Sequence, residues 1–153
     1  MANKLFSKPR RVKESKYSSI SKHNAGLGSE YILFDPPNVT SFECAKGEVD
    51  EKIVYIREKL TCMWGNEDIE EYVIIDDSVK EYFEDIRKKQ SDVVKAKVGD
   101  IIIEYTHASG RFSRFHYNVW FERKGVYYYL YIRTCDGRKF KALMEEFIEK
   151  SII

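Results

Sequence analysis

The strongest constraint on this chain lies between Phe112 and Ile148, where two alternating apolar runs meet at Lys124-Gly125 and then pass into a helical pattern. A glycine in a two-residue turn supplies the positive φ that a tight hairpin needs. Pairing outward from Arg123 and Val126 sets the register of the two strands. One face, expected to be the core face, then carries Phe121 with Tyr128, Val119 with Leu130, Tyr117 with Ile132 and Phe115 with Thr134.

The opposite face of this hairpin combines aromatic, polar and cationic side chains. Its pairs are Trp120 with Tyr129, Asn118 with Tyr131, His116 with Arg133, Arg114 with Cys135 and Glu122 with Tyr127. A helix is predicted next, after Asp136 as N-cap, from the apolar spacing of Phe140, Leu143, Met144, Phe147 and Ile148. If this helix covers the Val119 face, the Trp120 face is open, covered by another part of the chain, or reserved for a partner.

The remainder of the chain carries shorter patterns. The apolar spacing of Val49, Ile53, Ile56, Leu60 and Met63 predicts a helix over 48–64. A second helix is predicted over 78–90, where Ser78 and Glu81 form a capping box. Short strands are predicted over 31–34 and 72–75, and a β-branched strand over 98–106.

This order of elements gathers the strands late and predicts an α+β fold. The expected architecture is an antiparallel sheet with a three-stranded C-terminal meander and helices packed mainly on one face. The length of 153 residues fits one domain. Residues 1–29, rich in basic and small residues, are expected to form a flexible basic arm, and residues 30–153 the single α+β domain.

The net charge of +1 conceals three blocks of opposite sign. Residues 1–28 hold seven bases and one acid, residues 43–92 fifteen acids and eight bases, and residues 93–153 eleven bases and seven acids. The three cysteines are widely spaced, which is typical of reduced thiols. The sequence has no apolar run of bilayer length and no signal core, so a cytoplasmic protein without membrane contact is expected.

Catalytic patterns are sparse. His107 and His116 flank one predicted connection and are the candidate acid-base pair, although polar positions on a sheet are the commoner use of such residues. Cys135 at a strand end is more typical of packing than of a nucleophile. The scattered histidines and unpaired cysteine spacing predict no metal site, and the absence of a glycine-rich phosphate loop predicts no cofactor.

These features favour a binding protein over an enzyme. The leading interpretation is a small cytoplasmic protein that neutralises or regulates a macromolecular partner, in the manner of an immunity, antitoxin or inhibitor protein. Its partner is expected to be another protein of basic charge, docked on acidic helices. The expected partner-binding carboxylates are Glu81, Glu84, Asp85, Glu70 and Glu71.

Two alternatives remain open at this point. A single-stranded RNA or DNA binder would stack bases and hold phosphates on the sheet face, with the basic arm adding attraction. The residues expected to do so, or to form a homodimer interface instead, are Trp120, Tyr127, Tyr129, Tyr131, Arg114 and Arg133. The second alternative is a small hydrolase centred on His107 and His116.

Overall fold

The computed structural model describes residues 11–17, 39–62, 67–109, 115–123, 125–134 and 139–150. Within these ranges the chain forms eight strands and two helices. The strands are β1 (Lys13–Tyr17), β2 (Val39–Val49), β3 (Lys52–Cys62), β4 (Glu67–Ile74), β5 (Val94–Val98), β6 (Ile101–Ser109), β7 (Phe115–Arg123) and β8 (Val126–Thr134). The helices are α1 (Asp77–Lys88), between β4 and β5, and α2 (Lys139–Lys150), after β8.

All eight strands belong to one antiparallel sheet, in the order β1-β2-β3-β4-β8-β7-β6-β5. Two four-stranded meanders, β1 to β4 and β5 to β8, meet through the antiparallel pairing of their last strands, β4 and β8. Helix α1 connects the first meander to the second. The two halves are therefore joined along the middle of the sheet, where residues of both lie side by side.

The expected α+β fold with helices packed mainly on one face is wrong. The protein is mostly one sheet, and its two short helices lie on opposite faces of it. We call these the α1 face and the α2 face of the sheet. The antiparallel succession of β6, β7 and β8 is present, but it is one part of a much larger sheet.

The predicted helix over 48–64 is the main source of this error, because the segment forms the β2–β3 hairpin. The turn residues Asp50 and Glu51 have φ values of 51° and 64°. Both faces of β3 are buried, and each includes a charged side chain, Arg57 on one and Glu58 on the other. These buried charges interrupt the apolar alternation of a strand, and the remaining apolar residues happened to follow helical spacing.

The predicted register of the C-terminal hairpin is confirmed. Val119 pairs with Leu130 on one face, and Trp120 pairs with Tyr129 on the other. Gly125 has a φ of 78°, the left-handed conformation that the turn requires. Because side chains alternate along each strand, this register fixes which residues of β7 and β8 face each helix.

Helix α2, predicted from its apolar stripe, lies over the face that carries Val119 and Leu130, a choice that the sequence left open. Its buried residues Phe140, Met144 and Ile148 belong to the same core cluster as these two strand residues. Phe140 stacks on Tyr117 with ring centroids 3.9 Å apart and an angle of 4° between planes. The predicted N-cap, Asp136, lies outside the described residues.

Helix α1 covers part of the opposite face. Its buried residues Val79 and Phe83 pack on the aromatic side chains of β4 and β8, and the Phe83 ring lies 4.9 Å from that of Tyr129. The helix begins one residue earlier than predicted, because Asp76 is the N-cap and its carboxylate accepts the Ser78 amide proton at 3.1 Å. In the part of the chain that the structure describes, neither helix has the length and apolar character needed to cross a membrane.

The N-terminal predictions fall mostly outside the described residues. Lys13–Tyr17, within the segment expected to be a flexible arm, forms β1 and pairs with β2 at the sheet edge. The predicted strand over 31–34 is not among the described residues. The predicted strand over 98–106 is divided by a turn at Gly99, whose φ is 60°, and contributes to both β5 and β6.

Candidate functional site

The α1 face changes from aromatic to polar beyond the helix. Strand register aligns residues of neighbouring strands in rows that cross the sheet. The row beneath α1 consists of Arg57, Tyr72, Tyr129, Trp120 and Glu104. The next row consists of Lys59, Glu70, Tyr131, Asn118 and Thr106, and the row after it of Thr61, Asp68, Arg133 and His116. The polar rows therefore bring residues from both meanders together.

These rows form a groove with a volume of about 440 Å³. Its lining, which defines the polar groove, consists of Lys59, Thr61, Asp68, Ile69, Glu70, Tyr131 and Arg133. All of these residues come from β3, β4 and β8, which are adjacent in the sheet. The volume is within the range of small-molecule sites, roughly 300–1,000 Å³. Size and lining together make this groove a candidate site for a small ligand.

Asp68 is held from two sides of the groove. Arg133 donates from Nε to Asp68 Oδ2 at 3.0 Å and contacts the same oxygen through Nη2. The Thr61 hydroxyl donates to Asp68 Oδ1 at 3.1 Å. Charge-assisted hydrogen bonds of this kind are stronger than those between neutral groups. They tie β3, β4 and β8 together at this end of the sheet and compensate the charge of Asp68.

Tyr131 connects the groove to β7. Its hydroxyl lies 2.7 Å from His116 Nδ1, and burial raises the pKa of Tyr131 against the opposing effect of Arg133. The phenol therefore stays neutral at physiological pH. If Nδ1 carries the imidazole proton, the phenol accepts it and keeps its own proton for a ligand; otherwise the phenol donates to Nδ1.

Arg57 joins the groove side of the sheet to its β1 edge. This buried guanidinium donates from Nε to Glu14 Oε2 at 3.0 Å and from Nη2 to Glu43 Oε1 at 2.7 Å. Tyr55 also donates to Glu14 Oε2, at 2.7 Å. The hydrogen bond from Arg57 holds the pKa of Glu43 below its ordinary value of 4.5. Glu14 on β1 and Glu43 on β2 are thus bound to one cation on β3.

Two carboxylates that the sequence assigned to partner binding are buried. Glu70 is 8% exposed and accepts a hydrogen bond from Tyr72 at 2.6 Å. Glu71 is fully buried on the α2 face, directly opposite Glu58 on β3, which is also fully buried. Burial and the charges of these two glutamates raise the pKa of Cys44, which pairs with Glu58 from β2. Glu71 therefore lies away from the surface, whereas Glu70 lines the polar groove.

The other three predicted partner-binding residues lie on α1. Glu81 and Asp85 are exposed. Glu84 is half-buried and forms an ion pair with Arg87, which also binds Glu104 on β6 at 2.5 Å. The free acidic surface of the helix therefore excludes Glu84, whose charge is already compensated.

The two candidate catalytic histidines do not form one site. His107 is exposed on the α2 face, where its ring stacks on Tyr117 at a centroid distance of 6.0 Å. His116 is half-buried on the α1 face beside Tyr131. The sheet separates the two imidazoles, because residues 107 and 116 have opposite orientations in the paired strands β6 and β7.

Most of the predicted stacking residues are covered. Trp120, Tyr129 and Tyr127 are buried, and the exposed fraction of Trp120 is 1%. All three belong to the cluster that packs under α1. Tyr131 is half-buried and, with Arg133, lines the polar groove, whereas Arg114 lies outside the described residues. Trp120 and Tyr127 line a smaller pocket, of about 170 Å³, beside Glu84 and Arg87 of α1.

Sequence reasoning missed the contributions of Lys59, Thr61 and Asp68 to this groove. The helix predicted over 48–64 hid the first two, because a helix would have separated residues 59 and 61 on its surface. The signal that could have identified them is the polar alternation of Arg57, Lys59 and Thr61, which a strand places on one face.

Among the described residues, no group of three or more histidine, cysteine, aspartate or glutamate side chains is arranged to hold a metal ion. Comparisons of the chain with protein-family models, with curated proteins and with solved structures found no match.

Proposed function

We propose that this protein neutralises or regulates a basic protein partner, in the manner of an inhibitor or immunity protein, through the outer surface of α1. The observation that carries this proposal is the exposure of Tyr82, which is 42% accessible at the middle of the helix. Exposed carboxylates lie near it along the chain at Asp77, Glu81 and Asp85. Large aromatic residues are frequent energetic anchors of protein interfaces.

The way in which α1 is fixed to the sheet supports a role in recognition. The inner side of the helix is fixed by Val79 and Phe83 in the core, and Arg87 binds Glu104 on the sheet. A partner would therefore meet a helix that is already ordered, so that little conformational entropy is lost on binding. Complementary charge would raise the association rate and select basic partners.

The acidic surface has a defined extent. The last turn of α1 and the residue after it are basic, with Arg87, Lys88 and Lys89. The proposed interface is therefore the first two turns of the helix and Asp85, and it excludes the buried Glu70 and Glu71. We place this function in the cytoplasm, where a buried reduced thiol such as Cys44 is expected.

The test is site-specific crosslinking in cells that express the full chain. A photoreactive amino acid replaces Tyr82, and a control variant carries it at Lys141, an exposed position of α2 on the opposite face of the sheet. We expect position 82, and not position 141, to yield one crosslinked protein of basic isoelectric point. The crosslink should disappear when Glu81→Lys and Asp85→Lys are added to the position-82 variant.

Two results would count against the proposal. One is a crosslinked partner that is acidic or the same at both positions. The other is a yield that is unchanged by charge reversal in a variant whose circular dichroism shows a native fold, since complementary charge would then have no part in recognition.

A further inference from the structure

Strand β5 forms one edge of the sheet and has an open side. It pairs with β6 along its whole length, and within the described ranges no strand lies beyond it. An open strand edge presents backbone N–H and C=O groups with which a further strand can pair. Addition of a strand to such an edge is a recurring mode of peptide recognition. The open edge of β5 is therefore a candidate docking surface.

The turn that joins β5 to β6 determines which backbone groups face this open edge. It has two residues, begins with Gly99, whose φ is 60°, and closes on the pair Val98 and Ile101. The residues that flank a two-residue turn form a hydrogen-bonded pair. Hydrogen-bonded and non-hydrogen-bonded pairs then alternate along an antiparallel ladder. The N–H and C=O groups of Lys95 and Lys97 consequently point away from β6, toward the open edge.

The side chains of the same two lysines lie on the α1 face. Lys95 is opposite Glu104, and Lys97 is opposite Ile102, whose side chain is 65% exposed. Both lysines are exposed and, in the part of the chain that the structure describes, neither forms a salt bridge. Glu104 is bound by Arg87 instead. The edge thus presents two positive charges beside an exposed apolar side chain.

These charges disfavour a second copy of the chain as the occupant of the edge. If β5 paired with its own copy in the antiparallel direction, centred on Ala96, each Lys95 would lie opposite a Lys97. Like charges directly opposite each other destabilise a strand pair, and edge lysines commonly prevent self-association in this way. Asp92 and Asp100 flank β5 in the sequence, so the positive charge is confined to the two lysines. A strand with carboxylates opposite them would instead gain two favourable cross-strand pairs.

The α2 face of the same edge favours an apolar residue between the two acids. Ala96 lies on this face and packs against the core cluster that includes α2. Val94 is 39% exposed on the same face, since side chains alternate along the strand. In an added strand, the side chain opposite Ala96 would also lie on the α2 face. The matching sequence is an acid, an apolar residue and a second acid in extended conformation.

We propose that the open edge of β5 binds an extended acidic segment of another protein, which adds an antiparallel strand to the sheet and places two carboxylates opposite Lys95 and Lys97. This edge is separate from the outer surface of α1, and its proposed partner has the opposite charge. Crosslinking at Tyr82 tests the α1 surface and peptide binding tests β5, so failure of either proposal leaves the other unaffected.

The probe is a capped peptide of sequence Thr-Val-Glu-Val-Glu-Val-Thr, titrated into the full chain and followed by amide chemical shifts and hydrogen exchange. In the free protein, the amides of Lys95 and Lys97 should exchange rapidly, whereas pairing with β6 protects those of Ala96 and Val98. The peptide should bind with a dissociation constant at or below about 1 mM and shift the amides of β5. It should also slow exchange at Lys95 and Lys97 by at least about tenfold.

Two further peptides separate backbone pairing from simple charge attraction. Methylation of the backbone nitrogen of one glutamate keeps the charge but removes the N–H that pairs with β5. This change should weaken binding at least about tenfold. Replacement of both glutamates by lysine should abolish binding.

Variants of the protein then locate the site. Lys95→Glu combined with Lys97→Glu should lose the acidic peptide and bind the lysine peptide instead. The matched control, Lys13→Glu combined with Lys52→Glu, makes the same change in net charge at exposed lysines of β1 and β3 and should bind as the native protein does. All four lysines are exposed, so both variants are expected to fold, and native melting temperatures verify this.

Several results would overturn the proposal. One is a dissociation constant for the acidic peptide above about 1 mM. Equal affinity for the N-methylated peptide would show attraction without strand pairing. Unchanged affinity in the folded Lys95→Glu, Lys97→Glu variant would exclude this edge. Protection of the Lys95 and Lys97 amides in the free protein would mean that another segment of the chain or a second copy already occupies it.

Discussion

Gly47 on β2 lies directly opposite Tyr55 on β3, and the tyrosine ring occupies the space that a side chain at position 47 would fill. A Cβ atom built on Gly47 would be 2.3 Å from Cε1 of Tyr55. Tyr55 is itself fixed, because it is buried and donates to Glu14 on β1. The glycine thus allows a large ring to lie flat on the sheet and to reach the edge strand.

We expect Gly47→Ala to destabilise the protein by about 1–3 kcal/mol, the usual cost of overpacking a core. Urea unfolding followed by circular dichroism measures this change. Tyr55→Leu in the Gly47→Ala background should recover part of the loss, so the two changes should be strongly non-additive. Additive effects would mean that the ring does not set the requirement for glycine.

A substitution in the turn between β2 and β3 is expected to raise the stability of the protein. Asp50 and Glu51 both have positive φ values, a conformation that costs energy for residues with a side chain. We expect Glu51→Gly to stabilise the protein by up to about 1 kcal/mol, because relief of the left-handed strain, about 1–2 kcal/mol, exceeds the additional conformational entropy that glycine loses on folding, about 0.5–1 kcal/mol. The matched control, Glu81→Gly within α1, should instead destabilise by about 1 kcal/mol. Loss of stability in Glu51→Gly would contradict the turn geometry.

The N-cap of α1 predicts a pH dependence. The hydrogen bond from Ser78 holds the pKa of Asp76 below its ordinary value of 3.8. A carboxyl whose pKa is lower in the folded state contributes stability above its ordinary pKa, and that contribution is lost as the pH falls through the folded value. We therefore expect Asp76→Asn, which retains a good cap, to flatten the decline in stability below about pH 4.

Denaturant midpoints measured from pH 7 to pH 2.5 test this prediction. Asp76→Ala should lower stability at neutral pH by about 1 kcal/mol, because the cap itself is lost. Asp92→Asn, a change at an exposed aspartate outside the helix, should leave the acid decline as it is in the native protein. An Asp76→Asn profile that matches the native one would show that this carboxylate does not contribute.

The parts of the fold that local pattern determines were predictable from sequence. The β7–β8 register follows from one glycine turn and two alternating runs, and α2 follows from a complete apolar stripe. The β2–β3 hairpin lacks such a pattern, because its turn is Asp50-Glu51 and its strands bury charges. Arg57 is stable in the interior only through Glu14 and Glu43, which are distant in sequence.

The candidate site could also be predicted only where a local pattern determines it. His116 and Arg133 could be placed side by side from the hairpin register alone. The residues that complete the groove, Lys59 and Asp68, come from the other meander and reach it through the β4–β8 pairing. No local pattern encodes that pairing, which is why the groove could not be recognised before the fold was known.

The burial of Trp120 leads to the last prediction, which concerns the nucleic-acid alternative. The ring is 1% exposed and packs beside Tyr129, 5.7 Å between centroids, in the cluster beneath α1. In a Trp64→Phe variant, Trp120 is the one remaining tryptophan of the chain. Its emission should be blue-shifted, resist quenching by iodide and stay unchanged when single-stranded RNA is added at low salt. Trp120→Ala should cost about 3–5 kcal/mol of stability, as for other buried aromatic residues. Quenching of Trp120 by RNA would instead require α1 to leave the sheet, and would restore base stacking on this face as the better explanation of its aromatic residues.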